Sequence, residues 1–265
     1  MPVRALASTA SVPPEDAPRV LTAPHLPWPH GFTLRTGGVS QGPYASLNLG
    51  LSSGDEPGRV EANRDAVLAA LRVPRERVCA FHQVHGTRVL DGAPSWFEER
   101  ADAATTADAG RLLVVSVADC LPVLFFDPAS GAVGAAHCGW RGTLGGLATA
   151  VVARMAERYA SRPEDLAVAI GPGIQGACYQ VGDEVVAAFR QAGFPTSLAT
   201  PDEEGRHRLD LAAANRWGLE RAGVRGERIW SSELCTHCHP ERFYSHRRDA
   251  GTTGRHWAFI GVPEA

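Results

Sequence analysis

The sequence has no lysine: all 26 of its basic residues are arginine. That excludes a Schiff-base nucleophile and a Walker-type phosphate loop, both of which need an ammonium side chain. It also lacks an excess of positive charge, with a formal net charge of -3, so no global basic field favours nucleic acid. Long apolar runs are missing too. The most apolar stretch, Leu112 to Phe126, is interrupted by Asp119 and Pro122 and is too short to span a bilayer. Met1 to Pro18 carries Pro13, Pro14 and Pro18 with no apolar h-region and does not read as a signal peptide. Six cysteines are scattered over 265 residues, unlike the dense framework of a small secreted domain. Reduced thiols, metal ligands and a cytoplasmic setting are therefore expected.

What the chain does have is the material of a soluble core, with 44% hydrophobic and 21% charged residues. Residues 1–29 are Pro-rich and read as an irregular N-terminal arm; residues 30–265 read as one catalytic domain. Helical spacing is seen over Val60 to Leu71, Leu144 to Tyr159 (with Thr143 as its cap), Asp183 to Gln191 and Leu209 to Ala222. Strand-like runs occur at Val78 to Gln83, Leu112 to Ala118, Val123 to Phe126, Gly131 to His137, Leu166 to Ile170 and His256 to Ile260. No internal repeat is present. A single mixed α/β (α+β) domain follows.

Three constellations carry chemistry. The first is dispersed: His85 in HQVHG, Cys120 in ADC and His137 in AAHCGWRG. Two imidazoles and a thiolate are the ligand count of a catalytic zinc site with one position left open. By spacing alone, a buried structural cysteine and two hydrogen-bonded histidines explain them equally well. The second is CTHCH, Cys235 to His239, which offers half of a zinc site. No other C-x-x-C exists to complete it, and Cys178 alone does not do so convincingly, so these read as incidental thiols in a turn. The third is arginine beside glycine or a polar residue, at Arg64, Arg141, Arg247 and Arg255. Guanidinium forks suit phosphate and carboxylate, although in a chain without lysine most arginines must simply be solvated surface. GPGIQG lacks the dinucleotide-binding pattern and reads as a tight turn.

The ordered set is more specific than its pieces. HGFTLRTGGVSQGPYASLNLG, Gly54-Asp55, Asn63-Arg64, HQVHG, Asp102 with Thr106, VADCLPVLFFD, GAAHCGWRGT, GPGIQGACYQVG and FYSHRRDAGTTGRH follow one another along residues 30 to about 260. Together they resemble the laccase-domain (YfiH-type) family, called variously polyphenol oxidase, purine nucleoside phosphorylase or peptidoglycan editing factor. The resemblance implies an α/β/β/α sandwich with mixed sheets. It implies zinc, or copper in its place, held by His85, Cys120 and His137. It also implies phosphorolysis of adenosine, inosine, guanosine and methylthioadenosine, with adenosine deamination as a side activity. Catalytic candidates are then His85, Cys120, His137, Asp119 and Asp102; substrate-binding candidates are Asn48, Arg64, Arg141 and Arg247. Partners would be a nucleoside and phosphate, with neither nucleic acid nor membrane, and nothing specifies an oligomer beyond a monomer.

Two departures from the family pattern are His82, an extra imidazole before QVHG, and His246, where tyrosine is more usual. Two other chemistries use the same residues. One is a Cys-His amidohydrolase that edits peptidoglycan precursors, with Cys120 as nucleophile and His137 as base. The other is a single-copper polyphenol oxidase. A true multicopper oxidase needs about four coppers and several paired H-x-H motifs. Ten histidines with one H-x-H, His237-Cys238-His239, cannot supply that array.

Overall fold

A computed structural model of the protein describes residues 3–5, 18–92 and 97–264. Along the chain the elements are β1 (Val3–Ala5), β2 (Arg19–Leu21), β3 (His30–Thr33), α1 (Pro57–Leu71), β4 (Val78–Cys79), β5 (Val89–Asp91) and β6 (Ala103–Thr106). The central part holds β7 (Leu112–Val117), β8 (Leu121–Phe126), β9 (Val133–Cys138), α2 (Trp140–Leu144), α3 (Leu147–Tyr159) and β10 (Ala167–Ile170). The last third adds β11 (Gln180–Val181), α4 (Asp183–Gln191), β12 (Ala199–Pro201), β13 (His207–Leu209), α5 (Leu211–Arg221), β14 (Ile229–Ser231) and β15 (His256–Gly261).

Two six-stranded mixed sheets, β1-β2-β3-β15-β7-β4 and β14-β10-β8-β9-β6-β5, stack face to face; a small sheet, β11-β13-β12, stands beside them. The layering follows from period-two alternation. In β7, Leu113 and Val115 join the layer between the sheets, whereas Leu112 and Val114 pack with Val67 and Leu68 of α1. In β8, Leu124 and Phe126 face the first sheet, whereas Val123 and Phe125 face Val151 and Met155 of α3. A fully buried side chain of this kind contributes about 1.5–3 kcal/mol, so a one-residue slip that inverted either strand would be heavily penalised. Helix, sheet, sheet, helix is the resulting order, the expected α/β/β/α sandwich.

Several local expectations change. The helix read as Leu144 to Tyr159 is two helices, because Gly146 takes a left-handed φ of 78° between them. Thr143 consequently does not cap α3; its Oγ1 accepts from Asn215 on α5 at 2.9 Å. Pro122 lies inside β8, paired with His137, rather than ending a strand. The chain instead breaks at Asp119, whose φ is 86°. β7 and β8 therefore belong to different sheets, and Ala118 to Cys120 cross from one to the other. In the segment read as an arm, Arg19–Leu21 pairs with β3, and Val20, Leu21, Ala23 and Leu26 are buried. Residues 6–17 of that segment lie outside the described residues.

Candidate metal centre and substrate cavity

The sandwich opens where the β7–β8 crossover, the end of β9 and the loop before β5 meet. Cys120 comes from the crossover, His137 from β9 and His85 from the loop. Their ligand atoms all lie within 4.8 Å of one another, and the two imidazole centroids are 4.8 Å apart.

Asp102 organises this convergence. Its fully buried carboxylate accepts from the backbone N–H groups of Val84, His85 and Gly86 at 3.1, 2.9 and 2.7 Å, and meets His137 Nδ1 at 2.9 Å. That wraps the loop around one anion and lets His85 hold a left-handed φ of 57°. Gln83 fastens the same loop to β7, donating to Ser116 O at 2.8 Å and accepting from Ser116 N at 2.7 Å. Burial opposes ionisation of Asp102, but the His137 hydrogen bond and the backbone donors outweigh it and hold the carboxyl below its usual range.

Charge at the centre is set by the same contacts. Burial alone would raise the Cys120 thiol; the His137 charge and hydrogen bonds from both histidines bring it down to about 6. His137 behaves in the opposite sense. Burial would lower it, yet the Cys120 thiolate and the Asp102 hydrogen bond lift it to about 9. One residue on from His137, the Cys138 thiol is pushed far up by burial and by the negative charge of Cys120 and Asp102. Of these two thiols, Cys120 is the one with thiolate character.

The donor set fits a zinc-type ion. A thiolate and two imidazoles are borderline-soft ligands, and Asp102 on Nδ1 of His137 leaves Nε2 for the ion, the usual carboxylate-histidine-metal arrangement. Gly139 keeps the space clear. A Cβ there would lie 2.9 Å from Cys120 Sγ and 3.1 Å from His85 Nδ1.

Beyond these three residues is a cavity of about 680 Å³, a size usual for small-molecule sites. Phe81, His82, Phe97 and Tyr179 supply ring surfaces, and Arg64, Arg247 and Arg255 supply positive charge. His82, the extra imidazole, packs on Phe97 with centroids 5.3 Å apart and is not in the ligand group. His246 is on the wall, as its unusual position in the motif suggests. Asp119 also lines the cavity, but its carboxylate already accepts from Thr236 Oγ1 and Arg247 N, each at 2.6 Å.

The substrate-binding candidates divide. Arg64 and Arg247 line the cavity, Arg64 anchored to Leu49 O at 2.9 Å and Arg247 to Gln180 O at 2.8 Å. Arg141 is exposed with its guanidinium over Trp140, 4.2 Å from the ring centroid, and is not on the wall. Asn48 is fully buried; its Oδ1 accepts from Gly50 N and Arg255 N, and its amide donates to Ser53 and Asp55. It positions Arg255 rather than facing the cavity. Arg255 itself was noted beside Gly254 in the sequence but not placed among the substrate-binding candidates; the further signal available was its position at the end of the last motif.

The chain is similar to known proteins in sequence and in fold. Residues 29–263 match the family described as multi-copper polyphenol oxidoreductase laccase. A purine nucleoside phosphorylase of Deinococcus radiodurans is 47% identical over 245 residues, covering 92% of this chain and 93% of its own length. Purine nucleoside phosphorylase YfiH of Escherichia coli is 39% identical over 91% of this chain and 98% of its own. The crystal structure of YlmD from Geobacillus stearothermophilus superposes with a TM-score of 0.88 at 39% identity, over 98% of this chain and all of that one. Among the described residues, His and Cys ligand atoms converge in two groups of three, too few for a four-copper array.

Proposed function

The chain belongs to the laccase-domain family, and from that premise we propose that it is a metal-dependent purine nucleoside phosphorylase. Adenosine, inosine, guanosine and methylthioadenosine are its substrates, and adenosine deamination is a side activity. The observation that carries this reading is the meeting of His85, Cys120 and His137 with a cavity that has ring surfaces and three guanidinium groups on its walls. The names of its relatives point the same way. No helix among the described residues is long and apolar enough to cross a membrane, and we place the enzyme in the cytoplasm, where its thiols stay reduced. The catalytic domain is assigned to residues 30–265, with β2 of the preceding segment completing its first sheet.

Zinc bound by His85, Cys120 and His137, with copper as the alternative, supplies Lewis acidity to the reacting group. The protein's own residues do the rest. Arg247 and Arg255 hold phosphate by charge-assisted hydrogen bonds, and Arg64 adds positive charge deeper in the wall. The flat purine lies against Phe81 and Tyr179. A phosphate oxygen then attacks ribose C1′, the C1′–N9 bond breaks, and its electron pair leaves with the base. Asp102, saturated by four donors, orients His137, and Asp119 orients the Arg247 backbone. In the side reaction water replaces the amino group at purine C6 and ammonia leaves.

Product analysis tests this. Adenosine with phosphate should yield adenine and ribose 1-phosphate in equal amounts, with inosine as the minor product. Base release that does not depend on phosphate would refute it. A second reading is favoured by one observation: Cys120, His137 and Asp102 also form the thiolate, imidazole and carboxylate series of a Cys-His hydrolase. Rapid alkylation of Cys120 both with and without chelator would support that amidohydrolase.

A further inference from the structure

A second convergence of sulfur and imidazole lies on two loops outside the ligand set just described. Cys178 follows the GPGIQG turn, and Cys235, His237 and Cys238 stand in CTHCH after β14. The loops are laced together: Thr236 N donates to Gly173 O at 3.1 Å, and Gln175 N approaches Cys235 Sγ at 3.5 Å. Cys178 Sγ and Cys238 Sγ are 3.1 Å apart, and the ligand atoms of Cys178, His237 and Cys238 all lie within 4.8 Å of one another. Cys235, buried on the same loop as Cys238, neighbours both Cys178 and Cys238 but stands outside that mutual 4.8 Å group. The fold thus brings Cys178 to the CTHCH loop across 60 residues of sequence from Cys238.

We propose that the converging Cys178, His237 and Cys238, with the neighbouring Cys235 drawn in as fourth ligand, form a second, structural metal site for a thiophilic divalent cation of the zinc class. Three sulfurs and one imidazole make a complete tetrahedral set with no open position, the composition of closed structural sites rather than catalytic ones. With no oxygen among the donors, magnesium and calcium are not candidates. A tetrahedral ion with metal–sulfur bonds of about 2.3 Å keeps its sulfurs about 3.8 Å apart. The Cys178–Cys238 pair reaches that spacing with a shift of under an ångström. His239, the other imidazole of CTHCH, faces Glu241 at 3.6 Å instead.

The clip would act on the substrate cavity through its neighbours. Thr236, between two of the ligands, donates to Asp119 at 2.6 Å, and Asp119 precedes Cys120. Arg248 Nη1 ties Thr236 O and His237 O, at 2.8 and 3.3 Å, to the segment that carries Arg247. Tyr179, beside Cys178, lines the cavity. The site is a positioning device, and its existence does not depend on the proposed reaction.

Cobalt(II) titration of the full-length Cys120→Ser protein tests it, because that substitution removes the only thiolate of the other centre. The expected result is a sulfur-to-cobalt charge-transfer band that saturates at one equivalent and disappears when zinc is added. Adding Cys178→Ser and Cys238→Ser should cut the band by more than half. No band in Cys120→Ser, or a band unchanged by the two further substitutions, would overturn the proposal. Unsubstituted protein gives an independent reading by peptide mapping after alkylation. Cys178 and Cys238 should be protected by zinc and modified once it is chelated. Equal modification in both states, or recovery of the pair as a disulfide indifferent to zinc, would overturn it as well.

Discussion

The two sulfur and imidazole clusters are built from the same residue types and differ in almost everything else. His85, Cys120 and His137 sit where strands of the two sheets end, gathered around a buried carboxylate that fixes one imidazole and the loop carrying the other. Cys178, Cys235, His237 and Cys238 sit on loops, all but the buried Cys235 partly exposed, and among the described residues no carboxylate is hydrogen-bonded to the His237 imidazole. The first has three ligands and faces a cavity; the second has a third sulfur, Cys235, beside its three converging ligands, and none of the four residues lines that cavity. Ligand type therefore says little about role here. Ligand count, the group behind each ligand and the space in front of it say more.

The sharpest break between the clusters is expected from Cys120→Ser. A neutral hydroxyl is a poor replacement for a thiolate ligand, so phosphorolysis should fall to the blank rate and one equivalent of metal should be lost, as read by product chromatography and metal analysis. His85→Ala and His137→Ala should behave alike, since the three residues act on one ion.

The next contrast is in thiol reactivity after chelation. Lowered to about 6, Cys120 is largely thiolate at neutral pH; Cys178, raised to about 12 by burial and the neighbouring thiols, is not. Allowing for the weaker nucleophilicity of a low-pKa thiolate, Cys120 should still alkylate about a hundredfold faster at pH 7. Its rate should fall as the pH drops through 6, because protonation removes the nucleophile, whereas that of Cys178 should climb only in alkaline solution. Peptide mapping across a pH series checks this, and similar profiles would erase the distinction.

Asp102→Asn probes the group behind the ligand. The amide keeps the shape but weakens acceptance from His137 and three backbone donors, and losses of this kind cost about 10–100-fold in metal affinity or activity. The loop cluster should keep its metal unchanged. The smallest effects belong to the arginines. Arg247→Ala removes a charged donor worth about 1.5–3 kcal/mol, a rise of roughly 10- to 150-fold in the KM for phosphate. Arg141→Ala, outside the wall, should change it by less than about threefold, and the reverse ranking would return Arg141 to the phosphate site.

How much of this was legible in the sequence depended on the range of the interaction. α4 is found at Asp183–Gln191 as read, because its apolar spacing and its flanking glycines are local. The ligand trio was legible only through the ordered motifs; its spacing admitted a bland reading as well. Asp102 was visible as a motif residue, but its grip on three consecutive N–H groups requires the loop to be folded around it. The Gly145-Gly146 break was overlooked because apolar periodicity runs through both sides of it. The partners of Cys178 and Asn48 were hidden for one reason. Each acts on a partner far along the chain, Cys238 and Arg255, and no local pattern announces such a pairing.

Metal content and phosphorolysis, measured side by side in Cys120→Ser and Cys178→Ser, test most directly the claim that one cluster reacts and the other holds the structure. The account predicts that the two properties separate. Cys120→Ser should lose turnover and retain the loop-bound metal; Cys178→Ser should lose that metal and keep phosphorolysis well above the blank rate, with a changed KM because the cavity wall is less firmly held. Turnover surviving in Cys120→Ser, or both variants losing both properties together, would contradict it.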